Sequence, residues 1–395
     1  MSCVKKVIIY GAYRIAKEAV DRKLEASAME TAVSYVLYQP GATEMDRVDL
    51  VKGECLMLES QAKYHHLIPR TYMSSWEHGN GTLYIKYKDG IIKERNKDRI
   101  AGLTDFHSVL VGMPICTKED TDEIFNGLSD YFVEYNGKIV TETLELNQIY
   151  YDFDNWKITR ADGTPVSKKK LRNDIESVRI RDIEVLWSIK YENGWNELKK
   201  KIDATVLSNS SDSIPAFDRE FLMKFYTAMD WRGFESNMQL NGAFEWLCNE
   251  IFPLHEIKIP KDERELPIFK NAADYFKHCY ILKMYRKFLN DDGVIFTNAM
   301  ANLQHTSFHF LVADGTATFI TSDNPAFVFI RADERLQGIM PISPRILLVQ
   351  GKDIDKDGVY YITHIDDDAV KAYNNIIMEN AVEFVIMDDK QIEHF

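Results

Sequence analysis

The chain has 395 residues, of which 45% are hydrophobic and 28% are charged, and its formal net charge is −13. This composition is typical of a globular protein that is long enough to bury a large core. The acidic balance, with a sequence pI near 5.3, disfavours non-specific binding to nucleic acid or to an anionic membrane surface. No apolar run approaches the length of a membrane span, so we expect no membrane contact.

The cysteine pattern indicates the redox environment. Five cysteines are scattered along the chain without a CxxC pair: Cys3, Cys55, Cys116, Cys248 and Cys279. This pattern fits a reducing compartment and argues against a disulfide framework or a zinc knuckle. The N-terminal apolar run is too short for a signal peptide and lacks a cleavage site. We therefore expect a cytoplasmic protein.

The first sixty residues predict a small β-α-β unit. Two β-branched runs, VIIYGA (7–12) and AVSYVLY (32–38), flank a segment with helical spacing at 14–27. The unit resembles the opening of a nucleotide-binding Rossmann-like domain. However, Tyr13 stands at the second glycine position of the fingerprint, where a bare backbone normally approaches the pyrophosphate. We therefore predict a structural fragment over residues 1–60 and argue against NAD as a cofactor.

The remaining residues, 61–395, predict one main α+β domain. Two β-hairpins are indicated by Asp89-Gly90 and Asn136-Gly137, dipeptides that suit type I′ turns. A helical segment follows at about 175–290, and the chain becomes β-rich again from Ser307. This order predicts an α+β fold with β-rich N- and C-terminal parts around a central helical segment.

Four segments of this domain carry a resemblance to a known family. They are HHLIPRTYMSSW (65–76), FITSDNPAFVF (319–329), MPISPRILLV (340–349) and VKAYNNIIMENA (370–381). Together they resemble the family catalogued as domain of unknown function 4238, from about His65 to near residue 390. The family implies no established activity, so the chemistry has to be inferred from the residues.

The first segment combines paired histidines with a proline and an arginine. Pro69 suits the first turn of a helix, which would place His65 and His66 just outside its N-terminus. Helix N-termini attract anions, and Arg70 would add a bidentate fork for phosphate or carboxylate. One interpretation is therefore an anion pocket in which a histidine is a general base or a metal ligand. The alternative is a histidine that bonds a carbonyl and packs beside Trp76.

The second segment places polar residues at a strand end. Ser322, Asp323 and Asn324 follow the run TATFIT, and side chains positioned by a rigid sheet often build sites. Asp323 is a candidate divalent-metal ligand or base, and Asn324 a candidate donor to a substrate oxygen. The alternative is that these residues cap a turn by bonding their own backbone. Arg345, in the third segment, is a further candidate binding residue.

A third group of charges lies in the helical segment. Arg232 is a candidate phosphate clamp, or else a buried ion-pair partner of Glu184, Glu192 or Asp323. Glu184 and Glu192 are eight residues apart, so a regular helix would place them on nearly the same face. Two such carboxylates can bind a metal, but charged helix faces are usually solvated.

Three functional hypotheses follow from these groups. The first is a metal-assisted hydrolase of a phosphate ester or nucleic acid, with His66 as base or ligand, Asp323 as ligand and Arg232 or Arg70 as charge clamp. The second is a non-catalytic module that binds a small anionic ligand or a partner. In the third, the motifs only hold the fold together. The cofactor is unknown, and a divalent metal is one candidate.

Overall fold

The computed structural model describes residues 63–233, 254–331, 333, 335–351 and 358–388. The predicted β-α-β unit and its boundary near residue 60 lie outside these ranges and stay predictions. No helix of the described ranges is long and apolar enough to cross a membrane.

The described elements mix helices with several mainly antiparallel sheets, which confirms the α+β prediction. The strands are β1 (Tyr64–His66), β2 (Thr82–Tyr87), β3 (Ile92–Asn96), β4 (Gly102–Thr104), β5 (Tyr131–Tyr135), β6 (Lys138–Val140), β7 (Lys157–Arg160), β8 (Ser213–Pro215), β9 (Ser307–Ala313), β10 (Thr321–Ser322), β11 (Phe327–Ile330), β12 (Leu336–Ser343), β13 (Ile346–Gly351), β14 (Val359–Ile365) and β15 (Phe384–Met387). The α-helices are α1 (Arg70–Met73), α2 (Lys118–Ile124), α3 (Thr143–Ile149), α4 (Lys168–Ser177), α5 (Asp182–Trp187), α6 (Asn193–Val206), α7 (Arg219–Arg232), α8 (Ala272–Leu289), α9 (Gly293–His305) and α10 (Asp367–Asn380).

The chain forms two compact units that alternate along the sequence. The described parts of unit 1 are residues 107–185 and 254–286, and those of unit 2 are 63–106, 186–233 and 287–388 with the gaps given above. Unit 1 holds the β5–β7 sheet and most of the connecting helices before Val185. Unit 2 holds all the other strands.

Unit 1 is built on a three-stranded antiparallel sheet in the order β6-β5-β7. Asn136 and Gly137 have φ of 51° and 76°, so the β5–β6 hairpin has the predicted positive-φ turn. Helix α2 begins with a capping box between Thr117 and Asp120. The guanidinium of Arg286 bonds both carboxylate oxygens of Asp120, at 2.6 and 2.9 Å, and so ties α8 to α2.

Unit 2 contains a six-stranded sheet in the order β11-β12-β13-β9-β14-β8 and a four-stranded sheet in the order β10-β15-β2-β3. The pair β9–β14 is parallel and its neighbours in the six-stranded sheet are antiparallel. Helix α10 buries Val370 and Ile377 in the core that includes Ile339 and Leu347 of the sheet. Its N-terminus is capped by Asp366, whose side chain accepts from the amide of Ala369.

Two local predictions differ from the structure. In the β2–β3 hairpin only Gly90 has a positive φ, 84°, and the amide of Gly90 bonds the carbonyl of Tyr87. The predicted type I′ geometry is therefore wrong there, because a turn followed by one left-handed glycine closes a longer loop. In addition, a π-helical turn at Ser188–Glu192 separates α5 from α6. It breaks the regular repeat on which the predicted common face of Glu184 and Glu192 depends.

Candidate functional site

The histidine segment of unit 2 forms a strand and a very short helix. His65 and His66 lie in β1, which pairs with β4, and His65 is fully buried. The ring of His66 meets the ring of Tyr64 edge-on at 5.1 Å between centroids. Pro69 caps α1, which is only four residues long before a 3₁₀ turn. Such a short helix offers a much weaker anion site than the one that the sequence predicts.

Two aromatic residues of the same segment bind the other motifs through buried hydrogen bonds. The hydroxyl of Tyr72 donates to the carbonyl of Pro341 at 2.6 Å and lies 2.9 Å from the hydroxyl of Thr321. The indole nitrogen of Trp76 donates to the carbonyl of Phe319 at 2.8 Å. Burial raises the pKa of Tyr72, so its hydroxyl stays a neutral donor. The first, second and third motifs therefore meet inside unit 2.

Asp323 organises the link between α10 and β15. Its carboxylate accepts backbone amides from Val382 at 2.8 Å, Glu383 at 2.6 Å and Phe384 at 3.2 Å. Burial raises the pKa of Asp323, and the three amides oppose that rise by stabilising the charged form. These bonds occupy much of the acceptor capacity that a metal would need.

The neighbouring residues bond the backbone in the same way. The hydroxyl of Ser322 donates to the carbonyl of Asn324 at 2.8 Å, and the side-chain amide of Asn324 donates to the carbonyl of Asn380 at 3.2 Å. On α10, Asn374 accepts the amide of Ile320 at 3.1 Å and donates to the carbonyl of Thr318 at 2.9 Å. We call the five residues whose side chains bond the backbone of other motif segments or of the α10–β15 link the motif hub: Tyr72, Trp76, Asp323, Asn324 and Asn374.

Arg232 is 1% exposed and pairs with Glu192, one of the three carboxylates that the sequence left open. Its Nη1 lies 2.6 Å from Glu192 Oε1, and its guanidinium lies over the ring of Trp187 at 5.3 Å. A Cβ atom at Gly233 would lie 3.7 Å from the carbonyl oxygen of Asp323. The backbone after Arg232 thus passes close to Asp323.

The two remaining predicted arginines are at the surface of unit 2 or near it. Arg70 pairs with Asp98 at 3.1 Å, and more than half of each side chain is exposed. Arg345 donates from Nη1 to the carbonyl of Gly315 at 2.9 Å. Among the described residues, no group of three or more metal-ligand side chains contains His66 or Asp323.

Unit 1 contains a buried histidine that the sequence did not single out. Nδ1 of His107 lies 2.7 Å from Oε2 of Glu184, and His107 is fully buried. The ring of Tyr285 meets the imidazole edge-on at 5.8 Å. A carboxylate in this position fixes the tautomer and orientation of an imidazole, as it does beside many metal-binding histidines.

Unit 1 contains a cavity of about 370 Å³. Its apolar wall includes Leu110, Val111, Pro114, Ile259 and Phe269. Its charged wall consists of Glu176, Arg179, Asp262, Arg264 and Glu265. A concave site of this size, in which apolar residues adjoin convergent polar groups, is compatible with a small-molecule ligand.

Arg264 is the cationic group of the cavity with unused donors. Its Nε donates to the carbonyl of Ile259 at 3.0 Å, and no hydrogen bond joins its two Nη groups to any described residue. The loop that carries it is braced, since the amide of Ile259 bonds the carbonyl of Lys270 and Asp274 accepts the amide of Lys270. By contrast, Nη1 of Arg179 donates to the carbonyls of Glu176 and Val178.

Glu176 is the positioned carboxylate of the same cavity. The hydroxyl of Tyr150 donates to its Oε1 at 3.1 Å, and Tyr150 itself is 5% exposed. Burial is the main cause that raises the pKa of Tyr150, and the nearby charge of Glu176 raises it further. One oxygen of Glu176 is therefore held while the rest of the carboxylate faces the cavity that it lines.

Sequence reasoning missed this cavity. Its walls come from separate stretches around Gly112, Gln148, Glu176 and Arg264, so neither periodicity nor a short motif brings them together. The one local signal is the mixed-charge run KDERE at 261–265 between two helical segments. Such a run is more often a solvated loop than a site.

The comparisons with known proteins bear on the family alone. No curated protein and no solved structure matches the chain. Residues 64–391 match the family described as "Protein of unknown function (DUF4238)". This match spans most of the chain and includes all four motifs. The first three motifs meet inside unit 2, and Asn374 of the fourth motif bonds the backbone there as well. The chain belongs to the DUF4238 family.

Proposed function

We propose that this protein binds a small organic molecule with an acidic group in the cavity of unit 1. The observation that carries the proposal is Arg264, a half-buried guanidinium in the cavity wall whose Nη groups form no hydrogen bond with a described residue. A planar guanidinium that presents its two Nη groups can donate to both oxygens of a carboxylate or to two oxygens of a phosphate.

The apolar wall supplies the rest of the binding free energy. Phe269 packs edge-on against Tyr275 at 5.4 Å, and both line the cavity. Aromatic and aliphatic walls stabilise a hydrocarbon body by removing it from water. The bracing of the Arg264 loop adds to affinity because little side-chain and loop freedom is lost on binding.

The test is isothermal titration with 3-phenylpropionate, a carboxylate on an aromatic body. We expect wild-type protein to bind with a Kd below about 1 mM. Arg264→Met removes the fork and keeps the aliphatic stem, so it should weaken binding at least tenfold. Gln148→Trp should also weaken binding, because Gln148 is exposed on α3 and lines the cavity opening.

The matched control is Arg160→Met, an exposed arginine of β7 that does not line the cavity. It should bind 3-phenylpropionate as wild type does. Binding that survives unchanged in both Arg264→Met and Gln148→Trp would overturn the proposal, and so would the absence of binding to folded wild-type protein.

A metal-assisted hydrolase is the second candidate, and the His107–Glu184 pair is the observation in its favour. This pairing is chemically suited to a metal-bound imidazole. The roles that the sequence assigned to His66, Asp323 and Arg232 stay hypotheses, and the contacts of Asp323 and Arg232 favour roles in the fold.

Metal content by elemental mass spectrometry tests this candidate. The proteins compared are wild type, His66→Ala, His107→Gln and Asp323→Asn, each checked for native circular dichroism. A stoichiometric metal that is lost in His107→Gln would support the hydrolase. Wild-type protein without metal after metal-supplemented dialysis would exclude this second candidate.

A further inference from the structure

The cavity of unit 1 carries charges of both signs. Its wall contains two arginines, Arg179 and Arg264, but three carboxylates, Glu176, Asp262 and Glu265. A purely anionic ligand would be attracted by Arg264 and repelled by the excess of carboxylates, because like charges near an apolar wall interact strongly. A ligand that carries a cationic group beside its acidic group would satisfy both kinds of wall residue.

Glu176 is suited to the cationic group. The Tyr150 hydroxyl holds Oε1 at 3.1 Å, so the carboxylate is oriented before a ligand arrives. Oε2 of Glu176 forms no hydrogen bond with a described residue. An ammonium group has three donors and binds such an oxygen as a charge-assisted hydrogen bond.

The apolar wall defines the third part of the ligand. Leu110, Val111, Ile259, Phe269 and Phe276 line the cavity, and all five are buried. This wall matches an aromatic or branched aliphatic group rather than a sugar or a chain of hydroxyls.

We propose that the ligand is a zwitterionic α-amino acid with an aromatic or aliphatic side chain. Its carboxylate binds Arg264, its ammonium group binds Glu176, and its side chain packs against the buried apolar wall. This inference rests on the proposed function and adds the second charge and the side-chain class.

Three probes of one shape separate the inference from the proposed function. They are L-phenylalanine, 3-phenylpropionate, which lacks the ammonium group, and 2-phenylethylamine, which lacks the carboxylate. We expect L-phenylalanine to bind wild-type protein at least tenfold more tightly than either of the other two in isothermal titration.

Two variants assign the charges. Glu176→Gln keeps an oxygen for the Tyr150 hydroxyl and removes a negative charge, so it should weaken binding of L-phenylalanine at least tenfold without weakening binding of 3-phenylpropionate. Arg264→Met should weaken both carboxylate probes. Glu145→Gln is the control, since Glu145 is an exposed carboxylate on the same helix as Gln148 and lies outside the cavity wall.

The outcomes are distinct. If 3-phenylpropionate binds through Arg264 as tightly as L-phenylalanine, the zwitterion inference is wrong and the proposed function stands. The same holds if Glu176→Gln leaves the affinity for L-phenylalanine unchanged. If none of the probes binds to folded wild-type protein, both the inference and the proposed function fail.

Discussion

The motif hub of unit 2 and the cavity of unit 1 use polar side chains in opposite ways. The carboxylate of Asp323 is bonded to three backbone amides, and the hydroxyl of Tyr72 is fully engaged inside the core. In the cavity, Arg264 bonds the described residues only through Nε, and its loop is held by backbone bonds. Asp323 and Tyr72, which belong to the motifs found in the sequence, thus use their polar groups to bond the protein itself.

This difference has a physical basis. A buried polar group costs free energy unless it is bonded, so a hub of this kind needs specific residue types in fixed sequence positions. That need produces short, readable motifs such as FITSDNP. A binding cavity needs donors that water can satisfy until a ligand replaces it. Such donors can lie on loops of ordinary composition, which no motif marks.

The largest effect on stability is expected for Arg232→Met. Loss of the buried cation leaves Glu192 without the partner 2.6 Å away, and breaking a buried pair costs about 3–5 kcal/mol. Urea unfolding measures the change. Arg70→Met is the control, because its exposed pair with Asp98 should contribute less than about 1 kcal/mol. An equal loss of unfolding free energy in Arg232→Met and Arg70→Met would contradict the claim that the buried ion pair stabilises the fold more than the exposed one.

Asp323→Ala should destabilise the protein by about 2–4 kcal/mol, since three amides lose their acceptor and at least two are shielded from water. The same urea measurement serves here. Asp162→Ala is the matched control, because Asp162 bonds the amide of Thr164 in an exposed turn. A loss at Asp323 no larger than that at Asp162 would remove Asp323 from the motif hub.

Asp230, on α7, provides a pH test inside unit 2. No hydrogen bond or ion pair joins its carboxylate to a described residue, and burial raises its pKa from 3.8 to about 7. Since the folded-state pKa is the higher one, its contribution to stability is full below about pH 4 and is lost as the pH rises through 7.

Asp230→Asn should therefore raise the free energy of unfolding at pH 8 by about 1–3 kcal/mol and change it little at pH 4, because one pKa unit corresponds to about 1.4 kcal/mol. Urea unfolding at the two pH values measures this. A variant that is less stable than wild type at pH 8 would mean that the Asp230 carboxylate has a stabilising partner.

The smallest effect on stability is expected for the cavity variant Arg264→Met. It removes one hydrogen bond to a backbone carbonyl at a half-exposed site, so the free energy of unfolding should fall by less than about 1 kcal/mol. A loss as large as that of Arg232→Met would show that Arg264 is a structural residue. It would contradict the contrast between the cavity of unit 1 and the motif hub of unit 2.

Much of the fold was predictable from local patterns. The β5–β6 turn followed from Asn136-Gly137, and the return to strands at Ser307 followed from the β-rich C-terminal sequence. An ion pair of Arg232 was among the predicted alternatives. The choice of Glu192 as its partner was not predictable, because helix packing decides which carboxylate lies beside the guanidinium. The π-helical turn at Ser188–Glu192 has no sequence signature that separates it from a regular helix.

The candidate site was less predictable than the fold. The sequence marked Ser322, Asp323 and Asn324. The hydroxyl of Ser322 bonds its own turn, as the turn-capping alternative predicts, whereas the side chains of Asp323 and Asn324 bond distant backbone groups at 380–384, which the sequence did not predict. It gave no reason to select Arg264 or Glu176, because tertiary structure alone brings 176 and 264 to one cavity.

The central claim is that Arg264 in unit 1, whose Nη groups bond no described residue, provides the binding site, and that the motif hub does not. The most direct measurement is isothermal titration of 3-phenylpropionate into wild type, Arg264→Met and Arg160→Met, with unfolding curves for all three. The account predicts that Arg264→Met alone loses at least tenfold in affinity while its stability stays within about 1 kcal/mol of wild type. Equal affinity in the three proteins would contradict it.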